Sequence, residues 1–171
     1  EHVSMPIVLM GYLNPVMQYG LENFCSSAAE VGIDGTILPD LPFDLYEKDY
    51  KPLFVKNNIS NVFLVTPQTS EKRLVELDQI SEGFIYVVST NSTTGNSEKV
   101  VDTNESYLER ISNSDIKNPT LIGFNIKDKP SFMNACKYAN GAIIGSAFVK
   151  MLNKSKDIDQ DIKKFVDNIR G

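Results

Sequence analysis

Short, almost unbroken apolar runs alternate along this chain with stretches whose apolar residues recur every three or four positions. Pro6–Gly11 (PIVLMG) reads as a buried strand, and Leu21, Phe24, Cys25 and Ala28 then recur at helical spacing, with Gly32 as the stop. Thr36–Pro39 (TILP) is the next strand, ending in Asp40-Leu41-Pro42. Asp44 with Glu47 predicts a capping pair that opens a helix toward Asn57, with Pro52 as a break or kink. Asn61–Thr66 (NVFLVT) is a strand, and Thr69-Ser70-Glu71 opens a helix with Leu74, Leu77 and Ile80 inward. Phe84–Val88 (FIYVV) is a strand, and Ser89–Lys99, rich in Ser, Thr and Asn, reads as a loop. Tyr107, Leu108 and Ile111 mark the following helix. Thr120–Phe124 (TLIGF) is a strand, Phe132, Ala135, Cys136 and Ala139 form another helix face, and Gly141–Gly145 is the last strand. A final helix carries Ile158, Ile162, Phe165, Val166 and Ile169 on one side.

The β runs lack polar alternation, which suits a parallel sheet buried on both faces. The pattern is therefore α/β, with roughly six β/α units. A closed barrel of this kind needs eight strands and about 250 residues, and an open series of six leaves parallel edges unpaired. The chain is either an open doubly wound sheet or a barrel without its first two units. It begins at Glu1 rather than Met, which favours the second. The expectation is one domain over residues 1–171, a TIM (β/α)8 barrel with about six of its eight units present and the N-terminal portion missing.

Composition narrows the function classes. Hydrophobic residues make up 42% and charged residues 23% of 171, as in an ordinary globular protein. The net charge of -5 argues against a nucleic-acid or anionic-membrane surface. Cys25 and Cys136 lie in apolar helical patterns without metal-ligand spacing, and read as two buried free thiols in a reducing, cytoplasmic setting. No metal site is expected. No apolar run approaches a membrane span, and there is no signal-peptide pattern. The sole histidine, His2, lies near the chain start and supports no Ser/His/Asp system.

The richest stretch is Gly141-Ala142-Ile143-Ile144-Gly145-Ser146-Ala147-Phe148-Val149, an apolar strand that runs into Gly-Ser and then toward a helix. Gly145 permits close approach, and the amides of Gly145 and Ser146 can face an anion beside a helix start. Such a turn either binds a phosphate, as the last loops of β/α barrels do, or is a plain strand-to-helix connection. Asp40, at the end of its strand, is either a general base or a turn aspartate that caps nearby amides.

Several runs in order resemble one family. Pro6-Ile7-Val8-Leu9-Met10-Gly11-Tyr12-Leu13-Asn14-Pro15-Val16-Met17 with Gly20 is similar to the third-strand segment of the tryptophan synthase α subunit. Val31-Gly32-Ile33-Asp34-Gly35 with Leu38-Pro39-Asp40-Leu41-Pro42 resembles its fourth strand and loop, and Phe63-Leu64-Val65-Thr66-Pro67 its fifth. Gly83-Phe84-Ile85-Tyr86-Val87-Val88-Ser89 with Thr93-Thr94-Gly95 resembles the sixth strand and its lid loop. Gly123-Phe124 and Gly141–Ala147 resemble strands seven and eight.

The resemblance implies cleavage of indole-3-glycerol phosphate to indole and glyceraldehyde 3-phosphate. It also implies a β-subunit partner, in an α2β2 complex, that alone carries pyridoxal phosphate. It assigns phosphate binding to Gly95, Phe124, Asn125, Gly145 and Ser146, and the indole pocket to Met10, Tyr12, Ile37 and Tyr86. Thr94 falls in the lid, and Asn14, Pro15, Asp40 and Pro42 at the partner interface. Two positions depart from the family pattern: Thr90 stands where an Arg is usual, and Asn125 where Gly-Phe-Gly has its second glycine. Asn tolerates positive φ, so the backbone role can survive there. The family's proton-shuttling Glu and its indole-nitrogen Asp belong to the second strand and its loop, which have no counterpart among these residues. The stretch by itself is therefore expected to be inactive. Two other readings stay open: a non-catalytic regulatory subunit of the β partner, and another phosphate-binding barrel enzyme of the sugar-phosphate isomerase type.

Overall fold

Each apolar run of the sequence becomes a strand in the computed structural model, which describes residues 3–89 and 97–171. The chain divides into two compact units. The first comprises residues 3–64, Ser70–Ile85 and Ile116–Asn118. Its strands β1 (Val8–Met10), β2 (Gly35–Ile37) and β3 (Ser60–Val62) form a parallel sheet in that order. Leu9 pairs with Thr36 and Thr36 with Asn61, while Met10, Ile37 and Val62 form the next row. At Gly35 an added Cβ would come within 3.0 Å of the Ser60 carbonyl oxygen, so only glycine permits this pairing without a shift. β2 is buried at all three positions, as a parallel strand with two neighbours should be. β1 departs from the expected buried strand: among the described residues it pairs with β2 alone, and Leu9 and Met10 are exposed.

Helices α1 (Leu13–Tyr19) and α2 (Leu21–Glu30) follow β1, and α2 buries Cys25 and Ala28 as its periodicity predicts. Burial pushes the Cys25 thiol up to about 11, so it is an inert core group. Past β2 the chain is helical from Phe43 to Lys56 in three pieces: α3 (Phe43–Leu45), a π-helical turn (Tyr46–Tyr50) and α4 (Lys51–Lys56). The expected Asp44–Glu47 capping pair does not form. Pro42 occupies the cap position, and Asp44 lies inside the first turn, where its charge suits the helix dipole. The break expected at Pro52 is the π turn just ahead of it. Proline cannot donate to the helix ladder, and here it sits in the first turn of α4, where no donor is needed. The π turn buries Tyr46 between Phe54, edge-on at 5.6 Å, and Phe63 at 5.1 Å. Tyr46 and Phe54 are fully buried.

The predicted strand Asn61–Thr66 is divided at Phe63 into β3 and β4 (Leu64–Val65), which belong to different sheets. Helix α5 (Glu71–Ile80) opens as expected, with the Ser70 hydroxyl accepting from Arg73 N, and it turns Leu74, Leu77 and Ile80 inward. It also buries Asp78, whose carboxylate accepts from the backbone amides of Lys117 and Asn118, both at 2.9 Å, and from Asn118 Nδ2 at 2.9 Å. Burial alone would raise this carboxyl, but the hydrogen bonds outweigh it and hold the group below its ordinary value. A depressed folded-state pKa contributes stability above the ordinary carboxylate range, and that contribution disappears as pH falls through the folded value. The urea midpoint should therefore drop between about pH 5 and pH 3, and Asp78→Asn should be less stable at pH 5 and show a shallower drop. Parallel pH profiles for the two proteins would show that Asp78 does not contribute.

The second unit comprises Val65–Thr69, Tyr86–Asp115 and Pro119–Gly171. It contains most of a sheet ordered β4, β5 (Ile85–Val88), β6 (Thr120–Gly123), β7 (Gly141–Ala142). Helix α6 (Ser97–Ser112) takes in residues 97–99, which composition had placed in the preceding loop. Glu98 and Lys99 are good helix formers, and a 16-residue helix carries them along. From α6, Tyr107 Oη donates to Val65 O at 3.0 Å, and the Arg110 guanidinium donates to Thr69 O at 2.9 Å and Pro67 O at 3.3 Å. Helix α7 (Lys129–Ala135) opens with an Asp128–Ser131 capping box. Cys136 at its end is half-buried rather than buried. β7 is shorter than the predicted Gly141–Gly145, although Ile143 N still donates to Ile122 O at 2.8 Å. Helix α8 (Ser146–Leu152) packs on α9 (Ile158–Arg170) through Phe148 and Phe165, 5.5 Å apart.

Candidate functional site

In the second unit, chemistry gathers where β6 and β7 end. The two strands are parallel, with Leu121 opposite Gly141 and Ile122 opposite Ala142. Continuing that register brings Phe124–Asn125 and Gly145–Ser146 out at the same end of neighbouring strands. Gly145 is the cap residue of α8 and Ser146 its first residue, and both are exposed. Nothing lies within 4 Å of where a Gly145 Cβ would stand, so the turn is open to a ligand. The helix begins at Ser146 itself rather than beyond it, and Val149 N accordingly donates to Gly145 O at 3.0 Å.

Phe124 and Asn125 both adopt left-handed backbone, with φ of 72° and 58°. The tolerance of positive φ expected of Asn125 is thus used, and Phe124 shares the conformation without any such preference. Ser89, just past β5, reaches this turn: its hydroxyl lies 2.8 Å from Gly123 O and 3.0 Å from Phe124 O, its one proton shared between the two. Tyr86 on β5 is buried, and its ring lies edge-on to Phe124 at 6.1 Å. Any side chain at Gly123 would collide with the Tyr86 hydroxyl and ring, so Gly123 is what lets the tyrosine lie across β6. Burial raises the Tyr86 phenol above its ordinary value, which keeps it a neutral hydrogen-bonding group. A cavity of about 120 Å³ adjoins the turn, lined among others by Ser89, Phe124, Asn125, Ser131 and Asn134. The sequence reading did not single out Ser89, Ser131 or Asn134 for this place. Its one signal for Ser89 was the position directly after an apolar strand.

In the first unit the remaining candidates gather at the ends of β1 and β2. Met10 and Ile37 are register partners, and Gly11 N donates to Ile37 O at 3.1 Å. Ile37 is buried, Met10 is 56% exposed and Tyr12 is 70% exposed, so the Tyr12 hydroxyl has no need of a protein partner. Asn14 and Pro15 are exposed in the first turn of α1, and Pro42 is exposed at the cap of α3. Asp40 takes the capping alternative: both carboxylate oxygens accept from Leu13 N, at 2.9 and 3.1 Å, and so close the start of α1. With its oxygens so engaged, Asp40 is not placed as a free general base. Thr90, Thr94 and Gly95 lie outside the described residues. Among the described residues there is no group of His, Cys, Asp and Glu that could hold a metal ion, and no helix long and apolar enough to cross a membrane.

Comparison with known proteins points to one family. The profile of the family described as "Tryptophan synthase alpha chain" matches residues 1–170. A tryptophan synthase alpha chain of Flavobacterium johnsoniae is 51% identical over 170 residues, which cover 99% of this chain and 66% of the relative. That of Bacteroides thetaiotaomicron is 44% identical with the same coverage. This chain thus spans about two thirds of the length of the curated relatives it matches. Among solved structures, the Pyrococcus furiosus subunit superposes with a TM-score of 0.81 at 32% identity, covering 98% of this chain and 67% of that one. The Campylobacter jejuni alpha subunit does so with a TM-score of 0.82 at 27% identity, covering 98% and 66%. A tryptophan synthase complex from Pyrococcus furiosus also matches, with a TM-score of 0.80 at 30% identity. The parallel strands and interleaved helices are those of the α/β barrel of these subunits.

Proposed function

The chain belongs to the tryptophan synthase alpha chain family, and on that premise we propose that the protein is a lyase that cleaves indole-3-glycerol phosphate to indole and glyceraldehyde 3-phosphate. In that reaction the bond between the indole ring and the glycerol chain breaks, the ring carbon gains a proton, and the glycerol hydroxyl loses one to become the aldehyde. The observation that carries the proposal is the paired end of β6 and β7. There a left-handed Phe124–Asn125 turn and an open Gly145–Ser146 turn leave successive backbone amides for a phosphate. Within the second unit, Tyr86, buried beside Phe124, supplies an aromatic wall for the indole. The exposed Asn14, Pro15 and Pro42, with α1 held by Asp40, suit a docking face for a β subunit in an α2β2 assembly. The protein then works in the cytoplasm without a cofactor of its own, since pyridoxal phosphate belongs to the β subunit. Family membership removes the isomerase-type reading.

These 171 residues are read as binding substrate rather than transferring protons: Asp40, three positions past β2, accepts from the start of α1, and the resemblance offers no counterpart here to the family's Glu and Asp. The protein expressed from its natural reading frame is expected to release glyceraldehyde 3-phosphate from indole-3-glycerol phosphate. The 171-residue polypeptide alone is expected to show no turnover above a buffer control. A natural protein that stimulates serine-plus-indole turnover by a β subunit while cleaving no substrate would instead be regulatory, and would overturn the lyase reading.

A further inference from the structure

We propose that Ser89 is the positioning residue of the phosphate-binding turn, its backbone amide and its hydroxyl, through one shared proton, holding two successive carbonyls so that two successive amides face the ligand. This rests on the phosphate reading above and adds a residue that acts through the turn rather than on the phosphate. Ser89 is buried, and its backbone amide donates to Gly123 O at 3.3 Å while its hydroxyl spans Gly123 O at 2.8 Å and Phe124 O at 3.0 Å. Across a planar trans peptide, carbonyl and amide point in opposite directions. Fixing the oxygens of residues 123 and 124 on Ser89 therefore turns the N–H groups of Phe124 and Asn125 away from it. Among the described residues neither of those amides donates a hydrogen bond to another group. Two successive amides aimed one way form a concavity that accepts an anion.

The turn needs this support. Phe124 and Asn125 are consecutive, both have positive φ and neither is glycine, so the conformation persists only where its surroundings over-determine it. Tyr86 restrains the ring of Phe124 but touches neither carbonyl through any hydrogen bond among the described residues. The hydroxyl of Ser89 is the group that reaches both, from 34 and 35 positions away in the chain. Asn125 stands where the resemblance has a glycine, which would take the left-handed conformation unaided. The dependence on Ser89 is therefore greatest with asparagine in that place.

The test is calorimetric binding of glycerol 3-phosphate to the protein expressed from its natural reading frame, with thermal midpoints measured alongside. Ser89→Ala should weaken binding about tenfold, and Ser89→Thr, which keeps a hydroxyl, should stay within about threefold. In an Asn125→Gly background the Ser89→Ala step should cost less than about threefold, because glycine needs no support. In steady-state assays Ser89→Ala should raise KM for indole-3-glycerol phosphate and change kcat by less than about threefold. If Ser89→Ala does not fold, Ser89→Cys, with its weaker donor, carries the same expectations. Unchanged affinity in Ser89→Ala overturns the proposal and leaves the phosphate reading standing, as does an equal loss in both backgrounds. If the unsubstituted protein binds no glycerol 3-phosphate, the phosphate reading falls and this proposal falls with it.

Discussion

Replacing Asn125 with aspartate is expected to weaken glycerol 3-phosphate binding by about a hundredfold or more, since juxtaposed like charges cost several kcal/mol. The two side chains have nearly the same size and shape, and both tolerate the left-handed backbone that Asn125 adopts at φ 58°. The exchange therefore keeps the turn and adds one negative charge beside the place proposed for a phosphate dianion. Added salt should recover part of the affinity, because charges near the surface are screened over roughly 8–10 Å. Isothermal titration at two ionic strengths measures both effects. Equal affinity in the variant and the unsubstituted protein would move the phosphate away from the end of β6.

Truncating Phe54 to alanine is expected to destabilise the chain by about 3–5 kcal/mol. Its ring is fully buried and packs edge-on to Tyr46 at 5.6 Å and tilted to Tyr50 at 6.4 Å. Removing it leaves a cavity under the π turn, where the buried Tyr46 hydroxyl already has no hydrogen-bond partner among the described residues. Val55→Ala, one position on at a site 55% exposed, is the control and should change stability by less than about 0.5 kcal/mol. Urea unfolding of both variants measures the difference. A Phe54→Ala loss no larger than that of Val55→Ala would mean that the aromatic cluster does not anchor the first unit.

Periodicity and turn chemistry along the chain were enough to place six apolar runs as strands, to separate them by helices, and to predict which faces of α2 and α5 are buried. These are local properties: side chains three or four apart share a helix face, and an uninterrupted apolar run has both faces to bury. The order of family-like segments, from Pro6-Ile7-Val8 to Gly145-Ser146, likewise lies in the sequence alone and led to the same family as the comparisons. Of the residues proposed for the phosphate site, Gly145 and Ser146 stand out locally as the end of an apolar run, while Gly95, Phe124 and Asn125 are named through the resemblance.

Tertiary structure decided the rest, through contacts between residues far apart in the chain. Asp44 and Glu47 look like a capping pair, yet the cap that matters to α1 is Asp40, 27 positions from the amide it accepts. The burial of β1 could not be read from PIVLMG, because it depends on how many strands flank it. Phe124 carries no local sign of left-handed backbone. That conformation is held by Ser89, just past the neighbouring strand β5, through a hydroxyl whose partners lie 34 and 35 residues on. A pattern along the chain records what each residue prefers. Which preference yields, as at Phe124, is settled by hydrogen bonds that exist only once β5 and β6 lie side by side.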